Sequence, residues 1–310
     1  IYLNIYLNIF KYMEIIIHNP SHSGDILHTL EFVKIFIKSN PNCKFTLVPA
    51  SCKCLYENLI SYNVKIIQHN CIWNSILKKN ELIKTDIITK LHNVLTHYES
   101  DILYINIWKM LVQDNTNCIN LIGRKDFIKN FVNKTNSLYN LNIQFNCNSD
   151  IELIPILPDI NIDKVENYLK SFNKKFIFFY NLNSTCGIES EYRVNINDEV
   201  INNLLSEIDN DTILLVTKKT EIQNSKIINL ESDLNIQMSN DGKNLLVYEK
   251  ISRMCDKIYF KINGGSLFIL NGKNIENEQN FNLIKSSNIN TWYNILKNSY
   301  HLKDLNIYNI

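Results

Sequence analysis

A chain of 310 residues, 45% hydrophobic and 20% charged, holds enough apolar material for two domains with real cores and excludes a disordered protein. Its net charge of +1 gives no basic excess to attract nucleic acid. Eight scattered cysteines include Cys52-Lys53-Cys54, too tight for a zinc knuckle and without a second pair to complete one, so free buried thiols in a reducing compartment are expected, and with them a cytoplasmic location. The composition is also skewed: Ala50 is the sole alanine and arginine occurs three times, while the abundant Asn, Ile, Lys, Tyr and Phe share AT-rich codons. The asparagines therefore carry no functional signal of their own.

Residues 1–12 are apolar but broken by asparagine every fourth position, with no basic start and no small-residue cleavage site. They are expected to be an extension ahead of the fold rather than a signal peptide, and they are too short to cross a bilayer. No other stretch is hydrophobic enough to span, which leaves room only for peripheral membrane contact. Glu14 to Ile17 is a β-branched run that predicts a buried strand, and His18 to Gly24 a polar loop. From Asp25 the apolar residues Ile26, Leu27, Leu30, Val33 and Ile37 fall at helical spacing, so Asp25 opens a helix, where free N–H groups favour a carboxylate. The loop lacks GxGxxG, so no dinucleotide fingerprint is present.

Further strands are predicted over Lys44–Val48, Val64–Gln68 and Asp101–Trp108, with helices over Cys54–Tyr62 and Arg124–Leu141. Two of the five prolines lie in Ile154-Pro155-Ile156-Leu157-Pro158, where a connection between domains belongs. The pattern then restarts: helix Asp163–Phe172, strand Lys175–Tyr180, polar loop Asn181–Asn197, helix Asp198–Ile208, strands Thr212–Thr217 and Lys226–Leu230, helix Leu245–Met254, strand Lys257–Ile262 and a closing helix Thr291–Tyr300. Strands interleaved with helices imply parallel sheets, so two Rossmann-like α/β domains are expected.

Ser23-Gly24-Asp25-Ile26-Leu27-His28-Thr29-Leu30 resembles the G-D-(I/V)-(L/V)-H-T-L signature of the heptosyltransferases, inverting enzymes of the GT-B class with two Rossmann-like domains facing across a cleft. The resemblance implies an acceptor domain over 13–155, a nucleotide-sugar domain over 156–290, and a closing segment, 291–310, that packs back on the first. It implies a glycosyltransferase using a nucleotide-sugar donor and a glycan or other hydroxyl acceptor, with Asp25 as the catalytic base. His28, one turn on and on the same helix face, is a candidate to touch the acceptor or hold Asp25, or equally a partly buried histidine packing against the sheet, and His22 and Ser23 are candidates for acceptor hydroxyls.

For the donor, Asn263-Gly264-Gly265-Ser266 follows a strand, and its two glycines allow close backbone approach to phosphate. Where the family carries D-(S/T)-G-x-x-H, this chain has Asn263 for the aspartate and Phe268 for the histidine. Asn183, Ser184 and Thr185 are further expected donor contacts. Arg193, with Lys218 and Lys219 as runners-up, is the expected partner of the leaving phosphate, and Glu249 of the nucleoside. Asp209-Asn210-Asp211 looks like a metal-binding DxD but sits in a helix-to-strand turn, where Asp and Asn are ordinary turn formers, so neither a metal nor another cofactor is expected. The departures at Asn263 and Phe268 keep two alternatives open: a binding or scaffold protein that retained the fold without turnover, and a nucleotide-sugar epimerase.

Overall fold

The computed structural model describes residues 13–20, 23–68, 91, 94–113, 124–182, 198–236, 239, 241–270, 280–284, 289–299, 302 and 304–309. The chain divides into two compact units, Ile1–Pro155 and Ile156–Ile310, each built on its own sheet.

In the first unit β1 (Glu14–Asn19) leads through α1 (Ser23–Ser39) to β2 (Lys44–Pro49), and a 3-10 helix over Lys53–Tyr62 leads to β3 (Val64–Ile66). There follow β4 (Thr96–Glu99), β5 (Ile102–Asn106), α2 (Ile107–Gln113), α3 (Arg124–Tyr139) and a 3-10 turn at Asp150–Leu153. The strand order is β3-β2-β1-β5-β4, parallel except for β4 against β5. The uninterrupted apolar run of β1 is what a central parallel strand covered on both faces requires. Eleven of the seventeen residues of α1 are buried, more than one helical stripe, so this helix is covered on several sides. Its Phe32 and Phe36 meet Phe145 and Phe45 at ring-centroid distances of 5.6 and 6.1 Å.

In the second unit α4 (Asp163–Lys170), β6 (Lys175–Tyr180), α5 (Asp198–Glu207), β7 (Thr212–Val216), β8 (Ile227–Asn229), α6 (Leu230–Asp233), α7 (Lys243–Ser252) and β9 (Lys257–Phe260) are followed by a 3-10 helix at Ser266–Leu270. Then come β10 (Asn280–Ile284), α8 (Ile289–Ser299) and β11 (Leu305–Tyr308). The order β11-β10-β9-β6-β7-β8 is parallel throughout. Ile177 and Phe179 of β6, Leu214 and Val216 of β7, and Val200, Ile201 and Leu204 of α5 share one buried cluster. Both units are Rossmann-like α/β folds, as the alternation of elements predicts.

The differences from expectation have local causes. The strand expected over Asp101–Trp108 ends at Asn106, whose Oδ1 accepts the Lys109 N–H at 3.1 Å and caps α2. β4 was not expected because the hairpin joining it to β5 turns through Ser100 and Asp101, at φ 52° and 63°, without the glycine that usually marks such a turn. β10 and β11 were not expected either, being short and set among polar residues. Elsewhere asparagines take left-handed positions just past helix ends: Asn63, Asn140, Asn173 and Asn235, at φ between 50° and 61°.

Asn40, 7% exposed, ties the end of α1 to the extended segment beyond α3. Its Nδ2 donates to the carbonyls of Phe36 (2.7 Å) and Gln144 (2.9 Å), and its Oδ1 accepts the Gln144 N–H at 2.8 Å. Asn40→Ala leaves these groups unpaired and is expected to destabilise the chain by about 2–3 kcal/mol in urea unfolding, whereas Asn142→Ala on the exposed side of the segment should change it by less than about 0.5 kcal/mol.

Candidate functional site

An open parallel sheet binds ligands outside the carboxyl ends of its strands, where the strand order reverses. The reversal falls between β1 and β5 in the first unit and between β6 and β9 in the second.

In the first unit β1 ends in His18 and Asn19 and β5 in Asn106, with His18 opposite Asn106 in the ladder; all three are at most 2% exposed. Polar groups this deep need partners. His18 Nδ1 is hydrogen bonded to the Tyr104 hydroxyl at 2.7 Å, and Asn106 bonds the same phenol. Asn19 Nδ2 donates to Thr29 Oγ1 at 3.0 Å, and that hydroxyl faces the carbonyls of Asp25 (3.2 Å) and Ile26 (3.0 Å). Thr29 also bonds the phenol of Tyr56. Burial pushes the Tyr56 and Tyr104 hydroxyls well above the usual phenol range, so both stay protonated.

Asp25 stands half-buried in the first turn of α1, beside the half-buried Ser23 and the buried Gly24. His28 is 3% exposed, and burial, helped by the positive charge of Arg124, lowers its pKa from 6.5 to about 3. It is a neutral group inside the packing around α1. Its main-chain carbonyl accepts Arg124 Nη1 at 3.3 Å, and Arg124 is itself only 5% exposed. His22 lies outside the described residues.

In the second unit the Asn263–Ser266 turn closes on itself. Asn263 Oδ1 accepts the N–H groups of Gly265 and Ser266, both at 2.9 Å, and its Nδ2 donates to the carbonyl of Leu182 at 3.0 Å. Ser266 Oγ donates to the Asn263 carbonyl and accepts the Asn263 N–H, each at 3.0 Å. The amide thus bridges the ends of β9 and β6; an aspartate could accept the same two N–H groups but has no donor for Leu182. Gly265 is required by packing: a Cβ there would lie 1.9 Å from the Tyr180 hydroxyl and 3.3 Å from Leu245 Cδ2. Gly264 is half-buried, and Phe268, where the family pattern has histidine, is fully buried.

Asn181, just past β6, makes a similar clasp with the end of β7. Its Oδ1 accepts the Thr217 hydroxyl (2.8 Å) and the Lys218 N–H (2.7 Å), and its Nδ2 donates to the Lys218 carbonyl (3.1 Å). Lys218 and Lys219 are exposed. Glu249 is 1% exposed, with both carboxylate oxygens engaged by Arg253, Nη2 to Oε2 at 2.5 Å and Nε to Oε1, so it forms an ion pair with the residue that caps the end of α7. Asn183, Ser184, Thr185 and Arg193 lie outside the described residues. Asp209 Oδ1 accepts the Asp211 N–H (3.0 Å) and the Thr212 hydroxyl (2.6 Å), the hydrogen bonds of a turn former.

Sequence reasoning passed over His18, Asn106 and Tyr104, and took Asn181 only as the first residue of an expected donor loop. The available signal was a polar residue ending an apolar strand, His18 after Ile15-Ile16-Ile17 above all. Arg124 gave none, because an arginine opening an amphipathic helix reads as a surface cation.

No family model matches the chain, and no curated protein does. Several solved structures are similar to it at low identity. E. coli heptosyltransferase WaaC with ADP aligns at 11% identity and a TM-score of 0.43 over 96% of this chain and 91% of that one. A family 9 glycosyl transferase from Veillonella parvula aligns at 12% and 0.41 over 97% and 86%. A Listeria monocytogenes protein described as a UDP-N-acetylglucosamine 2-epimerase aligns at 8% and 0.42 over 95% and 92%. Among the described residues no helix is long and apolar enough to cross a membrane.

Two outcomes follow from the packing. Gly265→Ala should destabilise the chain by about 1–3 kcal/mol through overpacking, and Tyr180→Phe, which removes the atom a Cβ would strike first, should return part of that loss in a double-mutant cycle. For His28 the folded pKa of about 3 lies below the unfolded 6.5, so the unfolded chain takes the extra proton. Its contribution is complete above pH 6.5 and is lost on acidification, by about 2 kcal/mol between pH 6.5 and pH 5. Urea unfolding at pH 7 and pH 5 should therefore show a smaller acid loss in His28→Gln.

Proposed function

We propose that the chain is a glycosyltransferase of the GT-B class, heptosyltransferase-like and inverting, that moves a sugar from a nucleotide-sugar donor to a hydroxyl of a glycan or other acceptor without a metal ion. The observation that carries this reading is the placement of Asp25. A half-buried carboxylate opens the helix that follows the central strand, at the carboxyl edge of the sheet, within the eight residues that resemble the family signature.

In this mechanism the Asp25 carboxylate takes the proton of the acceptor hydroxyl while that oxygen attacks the anomeric carbon. The bond from that carbon to the diphosphate oxygen breaks on the opposite face, the configuration inverts, and a nucleoside diphosphate leaves. The second unit is assigned the donor. The Asn263–Ser266 turn is assigned the diphosphate, although three of its four N–H groups, those of Asn263, Gly265 and Ser266, are already bonded within the turn. Lys218, exposed at the end of β7, and Arg193 are assigned to the charge of the leaving group. A cytoplasmic location belongs to the same proposal, with peripheral membrane contact if the acceptor is a lipid-linked glycan.

A second reading, a binding protein of the same fold without turnover, draws on Phe268, which is packed into the core where the family presents a histidine. Release of nucleoside diphosphate from ADP-, GDP- and UDP-sugars separates the two. Asp25→Asn should lower kcat by roughly 10²–10⁴-fold and leave the thermal shift produced by the nucleotide unchanged. An undiminished rate in Asp25→Asn removes the base assignment, binding without release favours the second reading, and epimerisation of a donor without acceptor points to an epimerase.

A further inference from the structure

A base works only if it is held still, since a displacement of about 1 Å can cost of the order of 10²-fold in rate. Besides Tyr56, which bonds Thr29, two side chains from outside α1 grip the stretch that carries Asp25. One is Asn19, from β1, acting through the Thr29 hydroxyl. The other is Arg124, from the first turn of α3, whose Nη1 reaches the carbonyl of His28 across 96 residues of sequence. A carbonyl inside a helix already accepts the N–H four residues on, so this second bond ties one helix to the other.

The guanidinium is buried, a costly arrangement unless it is well bonded, and its planar fork holds direction better than an ammonium does. The start of α3 is fixed in turn. The Lys125 N–H donates to Asp150 Oδ1 at 2.8 Å, Lys125 Nζ donates to the Asn148 carbonyl at 3.3 Å, and the 3-10 turn at Asp150–Leu153 packs against both α1 and α3.

We propose that Arg124 is a positioning residue that fixes the Asp25-bearing end of α1 through the main chain of His28. This rests on Asp25 being the base. The Arg124 charge has a second effect, because it helps keep the imidazole one turn beyond Asp25 neutral.

The test uses the full chain with Arg124→Met, Arg124→Lys and Asp25→Asn, nucleoside diphosphate release from ADP-, GDP- and UDP-sugars, and NMR titration of the His28 ring. Arg124→Met should lower kcat by about 10- to 100-fold with donor KM changed less than about twofold, and His28 should begin to protonate at higher pH. Arg124→Lys, which keeps the charge without the fork, should leave His28 neutral and recover part of the rate; it also serves if Arg124→Met does not fold. Unchanged kcat in Arg124→Met overturns the proposal, whatever the His28 titration shows. An undiminished rate in Asp25→Asn overturns the base assignment instead, and with it any catalytic part for Arg124. A wild-type chain that releases nothing from any probe overturns the function, and with it the proposal for Arg124.

Discussion

Thr29 offers one proton and two lone pairs, and the first unit uses them to fasten its central strand to its central helix. The hydroxyl takes the Asn19 amide from the end of β1 and turns its own proton toward the carbonyls of Asp25 and Ile26. A parallel sheet must leave strand ends, loops and helix starts at one edge, and an apolar core cannot fix the angle at which a helix departs from that edge. Directional bonds can. His18 with Tyr104, and Asn106 with the start of α2, do the same for the neighbouring strand. The half-buried Asp25 and Ser23 at this edge are therefore mounted on a layer of buried polar groups.

The second unit treats the corresponding edge differently. Asn263 and Asn181 each bridge neighbouring strand ends with both atoms of a single amide, and the Tyr180 hydroxyl fills the space above Gly265. One edge holds a half-buried carboxylate in place; the other is a turn whose shape is set before any ligand arrives. Under the proposed function the base would take its direction from the first edge, and the donor would meet a turn whose shape is already set. The bond to Leu182 requires an amide nitrogen, which the aspartate of the heptosyltransferase pattern lacks.

Much of the fold could be read in advance because long apolar runs have few interpretations. Ile15-Ile16-Ile17 and Phe176-Ile177-Phe178-Phe179 announce central strands, and the spacing from Ile26 to Ile37 announces α1. What escaped was decided by single polar side chains. The Asn106 cap ends a strand inside an apolar stretch, and Ser100 with Asp101 turns a hairpin without glycine. At the site, Asp25 was legible from its place at a helix start and from the signature around it. The burial of His28 was one of two readings the sequence left open, because the helical pattern places it beside Asp25 without showing that Arg124 and the packing around α1 enclose it. The Asn263–Gly265 turn was legible as a turn, whereas the reason for its glycine, the Tyr180 hydroxyl, comes from a strand some eighty residues earlier in the chain.

Asn63, Asn140, Asn173 and Asn235 occupy left-handed backbone positions that glycine most often fills. Glycine at such a site brings no strain but leaves the denatured ensemble very broad. Asparagine accepts a modest steric penalty in the folded chain and narrows the conformations open to the same residue when it is unfolded. Four of these turns therefore shift part of the protein's resistance to unfolding away from native contacts and into a reduced entropy of the disordered chain.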